Sequence, residues 1–271
     1  MRDLVEGIVF PAIRKNEVHF YYGGARLCMF KGRQMYTNNR YRGLRDGLSR
    51  DGRIPVEWST PEKYEELKKN CANYRRPERE LVIVSKLFSA FPIAAPDGHR
   101  LLDIECRFPG GAASPGNTEK KQNMIDCLFL TRKGTMVFVE VKTSANNEAK
   151  SSGNGGSAAV VEQLGRYQEK LKLKSEEIRS VYVGVIETLS DILKATLPTS
   201  PQTVFGNVPL LFVGPTSPHS PGAKEVWQRD LLARPLSLSG EIIAIDGRDG
   251  RMVGALNEFF GILDSAKIAN Q

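Results

Sequence analysis

The sequence predicts an α/β fold: a helix, three strands, a helix and a further strand in that order (α-β-β-β-α-β), with a small β-rich region ahead of them. Three observations carry the expectation. Apolar runs at 100–108 (RLLDIECRF), 124–131 (MIDCLFLT) and 135–143 (TMVFVEVKT) are rich in strand formers and lie between turn-like segments. Helix-forming segments flank them, at 78–88 and at about 158–175. Upstream, a Tyr/Phe/Val-rich stretch broken by Gly23-Gly24 has the form of a β-hairpin.

In chain order, EVHFYY and ARLCMFKG are the arms of that hairpin, and Lys31-Gly32-Arg33 turns the chain into QMYTN. Residues 38–55, crowded with Arg, Asn, Gly and Asp, read as irregular. TPEKYEELKKN (60–70) opens with a Thr cap and a first-turn Pro, then helix formers. ANYRRPE (72–78) breaks the pattern and divides the chain into an N-terminal region, 1–75, and a main domain, 76–271. Glu78 to Phe88 reads as a helix buried on one side, although its Val/Ile run also suits a strand. After the three strands and the second helix, SVYVGVIE (180–187) reads as the next strand. A short helix, a strand VPLLFVG (208–214), a Pro/Ser-rich loop, a strand EIIAID (241–246) and a closing helix near 254–265 follow. Leu256, Phe259, Phe260 and Leu263 recur at helical spacing, a core stripe.

With 271 residues the chain can bury a large core, and its 41% hydrophobic and 25% charged content is that of a soluble protein. No apolar run approaches the ~20 residues of a membrane span. The start, MRDLVEGIVFPAIRK, holds no signal core, so no membrane partner and a cytoplasmic location are expected. Cys28, Cys71, Cys106 and Cys127 form no CxxC pair and read as buried free thiols. His19, His99 and His219 are scattered without ligand spacing, which disfavours zinc or HNH chemistry and triad hydrolysis. A net charge of +7 and a pI of about 9.2 are compatible with a polyanionic partner. The low-complexity loops 109–120 and 144–157 contain no phosphate-binding P-loop.

An acid-x-Lys tripeptide occurs four times, at Glu66, Glu119, Glu140 and Glu148. Three lie in polar helix or loop and read as solvated charge. Only Glu140-Val141-Lys142 closes an apolar strand, where period-two alternation puts Glu140 and Lys142 on one face. Asp126 interrupts the preceding strand in the same way. If Thr131 pairs with Thr135 across a three-residue loop, Asp126 falls opposite Glu140, with Cβ atoms about 4.5–5.5 Å apart. A two-residue loop would place Asp126 opposite Val141, on the wrong face. Two carboxylates so close in an apolar setting repel, and a divalent cation relieves the repulsion; hard oxygen ligands suit Mg²⁺. The alternative is a pair of strand-edge carboxylates, each neutralised by a basic residue.

These residues resemble the PD-(D/E)XK nuclease superfamily over about 77–187. The resemblance implies a restriction-endonuclease-like core with a central mixed sheet, the acid on the second strand and acid-x-Lys on the third. Ile125 stands where the family name has Pro. Gln163 and Tyr167, one helical turn apart, look like the Gln-xxx-Tyr motif of the RecB-like and lambda-exonuclease-like branch. The resemblance implies that they line the site or contact DNA; as a structural pattern, Tyr167 also aligns with Val160, Leu164 and Leu171 as a core stripe. Members often add an acid from the helix before the sheet: Glu80 is the first candidate and Glu78 the second, with Asp103 and Glu105 as rivals.

The expected activity is therefore Mg²⁺-dependent hydrolysis of phosphodiester bonds in nucleic acid, DNA before RNA, with Mn²⁺ as a substitute. Asp126, Glu140 and the carbonyl of Val141 would hold the ion, and Lys142 would orient water or stabilise charge. Arg40, Arg42, Arg45, Arg75 and Arg76 are candidates for tracking a phosphate backbone, or are surface charge. The second reading is a catalytically idle or partner-activated DNA-binding subunit of a defence or repair complex on the same fold. Residues 1–75 are then a candidate surface for a protein partner or a second copy.

Overall fold

β1 (Phe10–Arg14), β2 (Glu17–Tyr22), β3 (Ala25–Lys31), β4 (Gln34–Asn38) and β5 (Asp51–Arg53) form an antiparallel sheet in sequence order. The computed structural model describes residues 2–43, 51–55, 60–73, 80–95, 97–107, 124–149, 159–197, 200–214, 242–245 and 251–269. The β2–β3 hairpin lies where the sequence predicts it. Gly23 and Gly24 both take positive φ, 56° and 88°, which matches the turn to the twist of its strands. A side chain on Gly24 would also strike the backbone of Val82, so the turn lies flush on the following unit. Residues 38–55 are more ordered than expected. Arg40 N–H donates to the Asn38 side chain (3.0 Å), capping a 3-10 turn at Asn39–Arg42, and β5 pairs with β4. Polar side chains build this structure through local bonds to backbone, which leave no hydrophobic pattern to read.

α1 (Arg2–Val5) and α2 (Pro61–Asn73) accompany this sheet, α2 packing on β2, β3 and the 3-10 turn. Thr60 accepts from Lys63 N–H at 3.4 Å, in the expected cap position. Val9, Leu27, Cys28, Tyr41, Ile54, Leu67 and Cys71 form a small core here. Phe10, Ala12 and Tyr21 instead join the main core.

β6 (Arg100–Arg107), β7 (Met124–Leu130) and β8 (Thr135–Thr143) run antiparallel. β9 (Thr203–Val204) and β10 (Leu210–Val213) lie parallel to β8, and β11 (Ile242–Ile245) lies parallel to β10. The order β11-β10-β8-β7-β6 makes this a mixed sheet. α3 (Glu80–Ser85) lies against β7 and β8, so the Val/Ile run of the 78–88 segment is helix rather than strand. α4 (Ala159–Leu193) and α5 (Met252–Ala269) supply the remaining helical cover. Among the described residues no helix is long and apolar enough to cross a membrane.

One expectation is overturned. Residues 180–187 are not a strand but the second half of α4, which continues past a kink at Lys174 (φ −124°, ψ 17°). Ile178, Tyr182, Ile186, Leu189 and Leu193 are buried at helical spacing, while Val181 is exposed. Tertiary burial of one stripe outweighs the strand preference of the Val residues between. The parallel strands that follow the helix are β9 and β10.

α5 closes the core with the predicted stripe. Phe260 is fully buried, its ring 5.0 Å from Phe129, 6.1 Å from Phe91 and 5.7 Å from Phe259. Phe260→Ala is expected to destabilise the protein by about 3–5 kcal/mol. Urea unfolding checks this; a loss under about 1 kcal/mol would show that α5 is not integral to the core.

Candidate active site

The β7–β8 turn sets the geometry. Thr131 N–H donates to Thr135 carbonyl (2.9 Å), Thr135 N–H donates back to Thr131 Oγ1 (3.1 Å), and Lys133-Gly134 lie between. Gly134 has φ +78°, and a side chain there would strike Ser200 and Gln202. Thr131 Oγ1 also donates to Asp264 Oδ1 of α5 at 2.7 Å. The loop is the three-residue form. Its register pairs Leu130 with Met136 and Cys127 with Val139, and one step further sets Asp126 opposite Glu140.

The backbone ladder stops at Cys127 and Val139. Beyond it the side chain of Asp126 bridges the strands, Oδ2 accepting from Val141 N–H at 2.8 Å. Glu140 is on the other side tied to the neighbouring segment by its own N–H, which donates to Pro209 carbonyl at 3.0 Å. Its side chain is buried, with Oε1 2.8 Å from Lys142 Nζ, while Oε2 is buried with no hydrogen-bond partner among the described residues. Burial pushes the Glu140 carboxyl up to about 7, with Glu80 and Glu148 adding to the shift against the pull of Lys142. Asp126 is raised well above the carboxylate range by burial and then by Glu140. Burial alone would depress Lys142, but Glu140 and Asp126 outweigh it and hold the ammonium charged.

Glu80, at the start of α3, is half-buried and accepts from Asn146 Nδ2. Its charge acts on both Asp126 and Glu140, so the first-helix candidate is brought to the pair. The rivals face other partners. Asp103 accepts from Arg14 Nη1 (2.7 Å) and Tyr182 hydroxyl (2.8 Å), and Glu105 accepts from Tyr21 hydroxyl (2.5 Å). Gln163 Nε2 donates to the Tyr167 hydroxyl (2.8 Å), which donates to Met124 carbonyl (2.7 Å), two residues before Asp126. The Tyr167 ring is buried in the stripe with Val160, Leu164 and Leu171, so it is at once core and a wall beside the carboxylates.

The chain matches no family model, no curated protein and no solved structure.

Among the described residues no group of three or more His, Cys, Asp and Glu side chains is set to hold a metal as it stands. A two-carboxylate site is nonetheless the kind that suits Mg²⁺, which keeps several waters and takes one or two protein carboxylates. The unpartnered Glu140 Oε2 and the half-buried Asp126 beside it fit that requirement.

Arg40 and Arg42 sit on the 3-10 turn against α2, an element apart from β7 and β8; Arg42 Nη1 donates to Arg53 carbonyl at 3.1 Å. Arg45, Arg75, Arg76 and Glu78 lie outside the described residues. One expectation fails here: Glu148, read as solvated charge, has Oε2 3.0 Å from Lys142 Nζ. No sequence signal marks it, since a six-residue polar segment can run extended as readily as fold back. Asn146, which no motif marked, folds that segment back by accepting from Glu148 N–H (2.8 Å).

The raised carboxyls make a prediction about the metal-free protein. A carboxyl whose pKa is higher folded than unfolded stabilises fully below its unfolded value and loses that contribution as pH rises through the folded value. At pH 7.5 the Asp126–Glu140 repulsion therefore opposes folding. Asp126→Asn keeps an acceptor for Val141 N–H and removes the charge. It is expected to raise the metal-free Tm at pH 7.5 by about 2–4 °C, the shift that roughly 1 kcal/mol gives at this size, with little gain at pH 4. A lowered Tm at pH 7.5 in differential scanning calorimetry would refute the repulsion.

Proposed function

We propose that the protein is a metal-dependent nuclease hydrolysing phosphodiester bonds in nucleic acid, DNA before RNA, on a restriction-endonuclease-like core. The observation that supports this best is the cross-strand pair of Asp126 and Glu140 with a buried, unpartnered carboxylate oxygen and an ammonium beside it. Such a cluster is costly in an apolar sheet unless it serves chemistry or a cation.

Asp126, Glu140 and the Val141 backbone would hold Mg²⁺ or Mn²⁺, with Glu80, whose charge acts on both carboxylates, the candidate to orient a ligand water. When bound, the ion supplies Lewis-acid polarisation of a phosphoryl oxygen and a lower pKa for a coordinated water. Lys142, kept cationic by its neighbours, is suited to stabilising charge on the phosphoryl group, not to abstracting a proton. Tyr167 walls the site beside β7 from inside the core, and the partly exposed Gln163 bonded to it is the one of the two that could meet a strand of nucleic acid. Arg40 and Arg42, and by sequence alone Arg45, Arg75 and Arg76, remain candidates for phosphate contacts.

Purified protein is expected to cleave a panel of single- and double-stranded DNA and RNA only with Mg²⁺ or Mn²⁺, and Glu140→Gln or Lys142→Met to lower kcat by at least about 10²-fold. If the folded wild type binds DNA but cleaves none of the panel, the idle or partner-activated subunit is the better reading; if it does neither, both fall.

Metal affinity has its own pH signature. A proton on Glu140 competes with the cation, and its carboxyl titrates near 7 without metal. Asp126, also raised by burial, holds a second proton that the cation must displace, so Mn²⁺ affinity measured by calorimetry is expected to rise steeply with pH from about 5.5 to 7. A profile already flat from pH 5.5 would contradict Glu140 as a ligand.

A further inference from the structure

We propose that Glu148 is an internal competitor for the substrate phosphate at Lys142, a carboxylate that neutralises the ammonium until a phosphoryl oxygen takes its place. The inference rests on reading Lys142 as the phosphate-facing group of the site. Its ground is the contrast between the two carboxylates that Lys142 touches. Glu140 is a fixed partner: same strand, side chain 2% exposed, 2.8 Å away. Glu148 reaches the same nitrogen at 3.0 Å from the solvent side, its side chain 58% exposed.

The backbone around Glu148 is built to present it. Asn146 N–H donates to Thr143 carbonyl (2.9 Å), and the Asn146 side chain accepts from Glu148 N–H while its amide holds Glu80. Ala149 is buried and anchors the far end of the 3-10 turn Asn147–Ala149. Both flanks of Glu148 are thus pinned and its side chain is not. A carboxylate and a non-bridging phosphate oxygen make the same charge-assisted contact with an ammonium. An ion pair with one exposed partner is weak, so exchange costs little. The solvent side of Lys142, which Glu140 does not cover, is thereby occupied before substrate arrives, and affinity for short anions is reduced.

The test compares the full-length wild type with Glu148→Gln, which removes the charge, and Glu148→Asp, which keeps it but shortens the reach. Binding of inorganic phosphate, without metal, is followed through the ammonium resonance of Lys142 in ¹⁵N-lysine-labelled protein. Both variants are expected to bind phosphate about two- to five-fold tighter, the range an exposed ion pair spans. KM for DNA cleavage should fall by a similar factor with kcat unchanged. Unchanged or weaker phosphate binding in both variants overturns the proposal. So does a gain confined to Glu148→Gln, which would assign the effect to overall charge, and so does a fall in kcat at constant KM, which would place Glu148 at the metal. A wild type that cleaves nothing would sink the nuclease reading, while the phosphate titration would still decide the role of Glu148.

Discussion

Everything at the candidate site depends on the length of one turn. A three-residue β7–β8 loop puts Asp126 and Glu140 on one face of the sheet, and a two-residue loop would put one of them on the opposite face. The turn is over-determined. Gly134 supplies a backbone conformation that other residues resist, its carbonyl accepts from Gln202 N–H, and Thr131 is bonded both across the turn and to Asp264 of α5. The closing helix, some 130 residues later in the chain, thus clamps the register that aligns the carboxylates.

The second constraint is electrostatic. Asp126, Glu140 and Glu148 act on one ammonium, Lys142, and Glu80 adds its charge to the carboxylate pair. Burial drives Asp126, Glu140 and Lys142 towards their neutral forms, yet the lysine stays charged because the carboxylates beside it outweigh burial. The carboxylates cannot all be satisfied by one cation, and the remainder appears as a raised Glu140 and an orphaned oxygen. Contrast the Arg14–Asp103–Tyr182 group, where the arginine fork and a hydroxyl between them occupy both carboxylate oxygens. The acids of this one sheet therefore differ in kind: Asp103 is a satisfied tie between the N-terminal strands and α4, and the Asp126–Glu140 pair is left short of positive charge.

The sequence made much of this legible, and the reasons for its failures are physical. Strands β6 to β8 alternate strictly or run continuously apolar between turn residues, so their bounds could be read to within a residue or so, and turn chemistry then implied the register. The reading failed at 180–187, where Val, Tyr and Ile favour a strand in isolation but the burial stripe is helical. It failed again at Glu148, because a lone charge in a polar loop looks the same whether it is solvated or folded back onto a lysine. The 3-10 turn was missed because a side-chain-to-backbone bond caps it, and β5 because a three-residue strand of Asp, Gly and Arg carries no apolar period.

α4 shows why the reading of 180–187 failed. One helix supplies Tyr167 to the wall beside Asp126 and, beyond the kink at Lys174, Tyr182 to Asp103. Each tyrosine must place its ring in the core and its hydroxyl on a polar partner, so the helix answers to two sites with different geometry. A straight helix fixed at the first site has no freedom to satisfy the second, and a break at an exposed, charged stretch (Lys172 to Glu177) supplies it. A kink there leaves both buried stripes intact, because Leu171 and Ile178 flank it on the core side. That stretch is also where a helix reading based on local pattern would stop, since the signal for continuing lies in the contacts of the second half with β6 and Phe138, not in the residues of the break.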